Sequence, residues 1–90
     1  MGELSWKIKI HRKAKKTLDR LHGKELKRLR QAINALAENP YPKGTKKMVS
    51  YKNLYRIRVG DWRIVYKVEN GKLMILILSV SSRGKIYKKY

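Results

Sequence analysis

Ninety residues suffice for one modest hydrophobic core and are too few for two. Hydrophobic residues make up 42% of the chain, which excludes a disordered basic tail, and the longest apolar run, Leu73 to Leu78, is far too short to span a bilayer. Against 24 lysines and arginines stand only 6 acids, so the net charge of +18 has no internal neutraliser and points to a polyanionic partner, above all nucleic acid. A membrane surface fits less well, because no long basic helix also carries a strongly apolar, aromatic face. The absence of cysteine excludes disulfides and thiolate metal sites. With no apolar stretch in Met1 to Trp6 to act as a secretory signal, a cytoplasmic location is expected.

The first element, Trp6-Lys-Ile-Lys-Ile10, alternates with period two and predicts a strand with one apolar face. His11 to Leu21 carries Ala14, Leu18 and Leu21 on one helical stripe, and Gly23 breaks it. Lys24 to Glu38 predicts a second helix, with Leu29, Ala32, Ile33, Leu36 and Ala37 facing the core. Asn39-Pro-Tyr-Pro-Lys-Gly44 is a loop. Lys46 to Tyr51 reads as an extended arm or a short edge strand. Between Glu38 and Asp61 there is no acid, while Lys43, Lys46, Lys47, Lys52, Arg56 and Arg58 accumulate.

The second half predicts a meander. Leu54 to Val59 and Trp62 to Val68 flank Gly60-Asp61, a loop suited to a type II′ turn. Asn70-Gly71 predicts a type I′ turn into a continuously apolar strand, Leu73 to Val80, with the character of a central strand covered on both faces. These turns imply a register. Val59 lies opposite Trp62, Ile57 opposite Ile64 and Tyr55 opposite Tyr66. Across the second turn Glu69 meets Lys72, Tyr66 meets Ile75, Ile64 meets Ile77, and Lys67 lies beside Met74. One face is then core. The other carries Arg56, Arg58, Arg63 and Lys67 around Val65, Leu76 and Leu78, with Arg58 directly opposite Arg63. Like charges so placed destabilise a sheet, and a bound anion relieves them.

The residues available narrow the chemistry. The acids are few and scattered, and His11 and His22, each at an element end, have no ligand-type partners in sequence, so metal-assisted hydrolysis is not indicated. No phosphate-binding or dinucleotide-binding glycine motif is present. Arginine, lysine and tyrosine remain. RNA carries its own nucleophile, the 2′-hydroxyl, and guanidinium forks suit the charge that develops on the attacked phosphate. Such a scheme needs neither cofactor nor metal.

The order strand, helical hairpin, meander, with Leu54-Tyr-Arg-Ile-Arg-Val59, Asp61-Trp-Arg-Ile-Val-Tyr66, Leu78-Ser-Val-Ser-Ser-Arg83 and Ile86-Tyr87, resembles the RelE/ParE toxin superfamily over nearly the whole chain. The resemblance implies a single RelE-like α+β domain over residues 1–90, with the helices on one face of a small twisted, mainly antiparallel sheet. It implies a toxin, monomeric when free, whose cognate RelB-like antitoxin wraps it and blocks the basic face. RelE-type members are ribosome-dependent endoribonucleases that cut mRNA in the A site, leaving a cyclic phosphate and a 5′-hydroxyl. ParE-type members instead inhibit DNA gyrase. Carried over by residue, Arg63 matches the family's phosphate-contacting arginine, Arg83 the arginine of the transition state or leaving group, and Tyr87 the general base. Arg56 and Arg58 fall where the best-known RelE members have lysines. Charge is preserved there, but any role that gives or takes a proton is lost. Lys52, Lys67 and Lys85 complete the expected phosphate-binding set. In an unbroken last strand Arg83 would share parity with the core-facing Ile75 and Ile77, so a bend or bulge near Ser81-Ser82 is required. A ParE-like gyrase inhibitor and a non-catalytic RNA- or ribosome-binding module are the rival readings.

Overall fold

The computed structural model describes residues 6–82. Strand β1 (Lys7–Ile10) follows the predicted alternation, with its lysines exposed and its isoleucines partly buried. His11 then caps helix α1 (Arg12–Asp19), its Nδ1 accepting the Lys13 amide at 3.1 Å. Helix α2 (Gly23–Leu36) buries Leu29, Ile33 and Leu36. Both helices are shorter than their apolar stripes suggest. Their last turns tighten into three-residue hydrogen bonds, Leu21 to Leu18 at 3.1 Å and Glu38 to Ala35 at 3.1 Å, which satisfy carbonyls left over at a helix end.

Four more strands follow: β2 (Lys46–Lys47), β3 (Leu54–Val59), β4 (Trp62–Glu69) and β5 (Met74–Ser82). The sheet order is β1-β5-β4-β3-β2. Strand β1 runs parallel to β5, as the helical crossover between them permits, and the other pairs are antiparallel. The helices lie on one face, α1 against β5 and α2 against β3. Ala14, Leu18, Leu29, Ile33 and Leu36 meet Ile64, Tyr66, Val68, Ile75, Ile77 and Val80 in one buried cluster. The α+β architecture is the one expected.

The first hairpin keeps its predicted register at every pair, from Val59 opposite Trp62 to Leu54 opposite Lys67. Gly60 has φ 64° while Asp61 stays on the negative side, the type II′ pattern.

The second hairpin departs from expectation. Gly71 does not take positive φ; Asn70–Lys72 form a 3-10 turn and Leu73 takes the left-handed conformation at φ 51°. Leu73 therefore leaves the strand and is 50% exposed. Pairing slides accordingly: Glu69 meets Met74, Lys67 meets Leu76, Val68 meets Ile75 and Tyr66 meets Ile77. The expected Glu69–Lys72 contact survives, at 3.7 Å, within the connection instead of across the strands. The slide leaves the core parity intact and places the buried pair Val68–Ile75 at the strand mouth.

A bulge interrupts β5. Ile77 pairs with Tyr66 and Ser79 with Val65, which leaves Leu78 as the extra residue. Without it, Ser79 would stand opposite the buried Ile64. With it, Val80 takes that place at 3% exposure, and Ser79 and Ser81 turn to the opposite face. Burying a valine instead of a serine hydroxyl is the physical reason for the irregularity. The bulge lies at Leu78, three residues before Ser81, and not at the expected Ser81-Ser82. The expectation that β5 is covered on both faces does not hold among the described residues: Met74 and Leu76 are only partly buried.

Tyr66 ties the loop after α2 to the sheet. Its buried hydroxyl donates to the Pro40 carbonyl at 2.8 Å and lies 3.3 Å from the Thr45 hydroxyl. Its ring stacks on Tyr55 at 6.0 Å, and Tyr55 meets Tyr41 edge-on at 5.1 Å. Burial pushes the Tyr66 phenol above its ordinary value, against a smaller opposing pull from Thr45. A raised folded-state value contributes stability that is complete below about pH 10 and is lost as pH rises through the folded value. Tyr66→Phe is expected to cost about 1–3 kcal/mol at neutral pH, since it orphans the Pro40 carbonyl. The variant should also lose less stability than the wild type above pH 10. Urea titrations at pH 7 and pH 10.5 measure both effects.

Candidate anion-binding face

The sheet face away from the helices is organised in rows by the observed register. Lys46, Arg56, Val65 and Ser79 form one row, and Arg58, Arg63 and Ser81 the next, nearer the Gly60 turn. Leu54, Lys67, Leu76 and Lys9 form a third on the other side. Arg58 lies directly opposite Arg63, as the turn chemistry predicts. Lys46, Arg56, Arg58, Arg63 and Gly44 enclose a concavity of about 120 Å³. Among the described residues the ion pairs are Lys15–Asp19, Lys67–Glu69 and Lys72–Glu69, and none engages these arginines. Three guanidiniums without an ion pair among the described residues, Arg56 and Arg63 partly buried, have the chemistry to hold phosphate oxygens.

Helix α2 backs the turn of the first hairpin. On the helix side the Trp62 indole donates to Glu25 Oε2 at 3.3 Å. The Arg28 guanidinium from α2 packs over the β3–β4 turn, with Nη2 3.5 Å from where a Cβ on Gly60 would stand. Gly60→Ala would force an alanine into the left-handed region, at an expected cost of about 1–2 kcal/mol, and disturb the Arg58–Arg63 pairing. Thermal melting and the affinity for a short RNA oligonucleotide should both fall.

Of the expected site residues, Arg56, Arg58 and Arg63 are brought together. Lys67 lies a row away and its ammonium is 3.6 Å from Glu69. Lys52 is exposed in the turn before β3, outside the concavity. Arg83, Lys85 and Tyr87 lie outside the described residues. Ser81, opposite Arg63, shares the arginine face. Lys46 was not among the expected site residues. Its basic shoulder was visible in sequence, but only the pairing of β2 with Arg56 assigns it a face. Gly44, at φ 95°, turns the chain into that strand. His11 and His22 sit at the starts of the helices, as element ends. No group of three metal-ligating side chains occurs among the described residues, and none of their helices is long and apolar enough to cross a membrane.

The family model for the ParE toxin of type II toxin–antitoxin systems matches residues 8–87, nearly the whole chain. This chain belongs to the RelE/ParE toxin superfamily. The toxin is 31% identical over 88 residues to a Methanocaldococcus jannaschii protein described as "Putative toxin RelE1", covering 94% of this chain and 98% of that one. It is similar to a chain of the archaeal RelE–RelB complex from Pyrococcus horikoshii, with TM-score 0.79, 29% identity and coverage of 90% and 98%. Isolated Escherichia coli RelE shares the fold, with TM-score 0.77 at 20% identity and 94% of each chain covered. The relatives thus place the toxin with RelE-type members.

Proposed function

We propose that this toxin is a ribosome-dependent endoribonuclease that cuts mRNA in the A site. The observation that carries the reading is the concave cluster of Lys46, Arg56, Arg58 and Arg63, free of ion-pair partners among the described residues and backed by Arg28 of α2 over the Gly60 turn. Transition-state charge on phosphate is best met by fixed donors of this kind. In the proposed reaction the ribose 2′-oxygen gives its proton to the base and attacks the adjacent phosphorus. The bond to the 5′-oxygen breaks, that oxygen takes a proton from water, and a 2′,3′-cyclic phosphate remains. Arg63 holds the phosphate, Arg56, Arg58 and Lys46 its neighbours. By resemblance alone, Tyr87 is the base and Arg83 steadies the leaving oxygen, while Lys52, Lys67 and Lys85 contribute to RNA binding away from the reacting phosphate.

A RelB-like antitoxin is the proposed protein partner, in line with the RelE–RelB complexes among the similar structures. The ribosomal target implies action in the cytoplasm. Primer extension on mRNA being translated in a purified system tests the proposal. Discrete breaks within codons, dependent on the toxin and on ribosomes, are the expected result. Intact mRNA together with inhibition of gyrase supercoiling would instead establish a ParE-like activity.

A further inference from the structure

The β2 edge of the sheet carries a cation on each of its faces. Lys46 stands opposite Arg56 and shares the arginine face, while Lys47 stands opposite Tyr55 and shares the helix side. On that side Tyr41, from the loop after α2, meets Tyr55 edge-on, with ring centroids 5.1 Å apart and planes at 66°. An edge-on contact covers at most one face of a ring, and Tyr41 remains 44% exposed. The loop that presents it is fastened at three points. The Tyr66 hydroxyl donates to the Pro40 carbonyl at 2.8 Å, the Tyr41 amide to Asn39 Oδ1 at 3.0 Å, and the Thr45 amide to the Pro42 carbonyl at 3.0 Å. The same loop carries Gly44, which lines the arginine concavity. Three residues separate Tyr41 from Gly44, so their Cα atoms are at most about 11 Å apart.

An exposed aromatic ring, held in place, thus stands beside the anion-binding concavity. The way between them is open: Gly44 has no side chain, and a Cβ there would meet nothing within 4 Å. Lys43 and Lys47, both exposed, accompany this path, and no acid occurs between Glu38 and Asp61. A ring that offers a face to stack on, set among cations that track a backbone, is the arrangement that single-stranded nucleic acid uses. A free inorganic anion would engage the cations and leave the ring unused. A folded protein partner would need a wider apolar centre than these tyrosines supply. An RNA strand uses both parts: a phosphate among the arginines, and the neighbouring base on the ring.

We propose that Tyr41 is a base-stacking subsite, which takes the base of the nucleotide next to the phosphate held by Arg56, Arg58 and Arg63, with Lys43 and Lys47 on the flanking backbone. The inference rests on the reading of the arginine face as an RNA site and adds to it a residue that senses the base. The probe is a single-stranded RNA of about four nucleotides, 2′-O-methylated so that it cannot be cut, together with copies lacking one base at each position in turn. It is titrated onto the full-length toxin, with thermal melting as the control for folding. Tyr41→Ala is expected to bind the intact RNA about 5–100-fold more weakly, and Tyr41→Phe within about twofold of wild type. Tyr41→Leu keeps a side chain against Tyr55 without an aromatic face, and should lose affinity as the alanine variant does. The slope of log affinity against log salt should not change, because no cation is removed. Removing one particular base should weaken the wild type by the same factor and leave Tyr41→Ala unaffected. Folded Tyr41→Ala and Tyr41→Leu toxins that bind within about twofold of wild type would overturn the proposal. So would an equal loss on the intact RNA and on every base-lacking copy, since the ring would then serve only to pack on Tyr55. A wild-type toxin that does not bind the RNA would strike both this proposal and the reading beneath it. Binding that depends on Tyr41 without cleavage of translated mRNA would strike the nuclease reading alone.

Discussion

Arg63→Ala should slow mRNA cleavage by about 10²–10³-fold, the usual loss when one fixed donor to transition-state charge is removed. The fold should not suffer. Arg63 sits on the open sheet face, makes no ion pair among the described residues, and lies opposite Arg58. Its removal relieves a like-charge pair, so stability is expected to hold or rise slightly. Arg58→Ala differs in kind, because Arg58 is the more exposed member of the pair and its proposed part is phosphate binding. It should weaken RNA affinity across sequences and reduce the slope of log affinity against log salt by about one. Single-turnover cleavage on programmed ribosomes, with parallel thermal melts, separates the two effects. An Arg63→Ala toxin that cuts at the wild-type rate would remove the central residue from the proposed mechanism.

One residue further along the strand the balance reverses. Ile64 is fully buried between Ile57 and Val80 and faces the helices. Ile64→Ala should cost about 2–5 kcal/mol, the combined loss of transfer energy and of packing around the new cavity. A domain of this size holds only about 5–15 kcal/mol in total, so this loss is a large share of it. Urea unfolding should show a lower midpoint with an unchanged slope. Where the variant remains folded at low temperature its cleavage rate should stay close to wild type, because the arginine face is formed by its neighbours and not by Ile64. The pair Arg63 and Ile64 thus divides chemistry from stability across the thickness of one strand.

The first hairpin was legible from its residues. Gly60-Asp61 permits few turns, the apolar and charged residues alternate cleanly on both sides, and together they specify Arg58 opposite Arg63 without tertiary information. The second hairpin was less legible. Asn70-Gly71 carries a strong local preference for a two-residue turn, yet the chain adopts a longer connection with Leu73 left-handed and exposed. Packing of Val68, Ile75 and Ile77 under α1 outweighs that preference. The bulge at Leu78 was not legible. The bend expected near Ser81-Ser82 rested on a family role for Arg83, whereas the bulge depends on which residue meets Ile64, and that is a core-packing matter. Lys46 has no side-chain periodicity of its own in a strand of two residues, so its place beside Arg56 emerges only on pairing.

Sequence alone therefore determined the excess of positive charge, the two amphipathic helices, the first hairpin and the like-charged pair at its heart, because each depends on composition, short-range periodicity or a tight turn. Tertiary structure decided the parallel placement of β1 beside β5, the slide and bulge of the second hairpin, the entry of Lys46 into the arginine cluster and the setting of Tyr41 against Tyr55. Each of these depends on contacts between segments distant in the chain, where burying Val80 and Ile75 against the helices outweighs the local preferences of the turns.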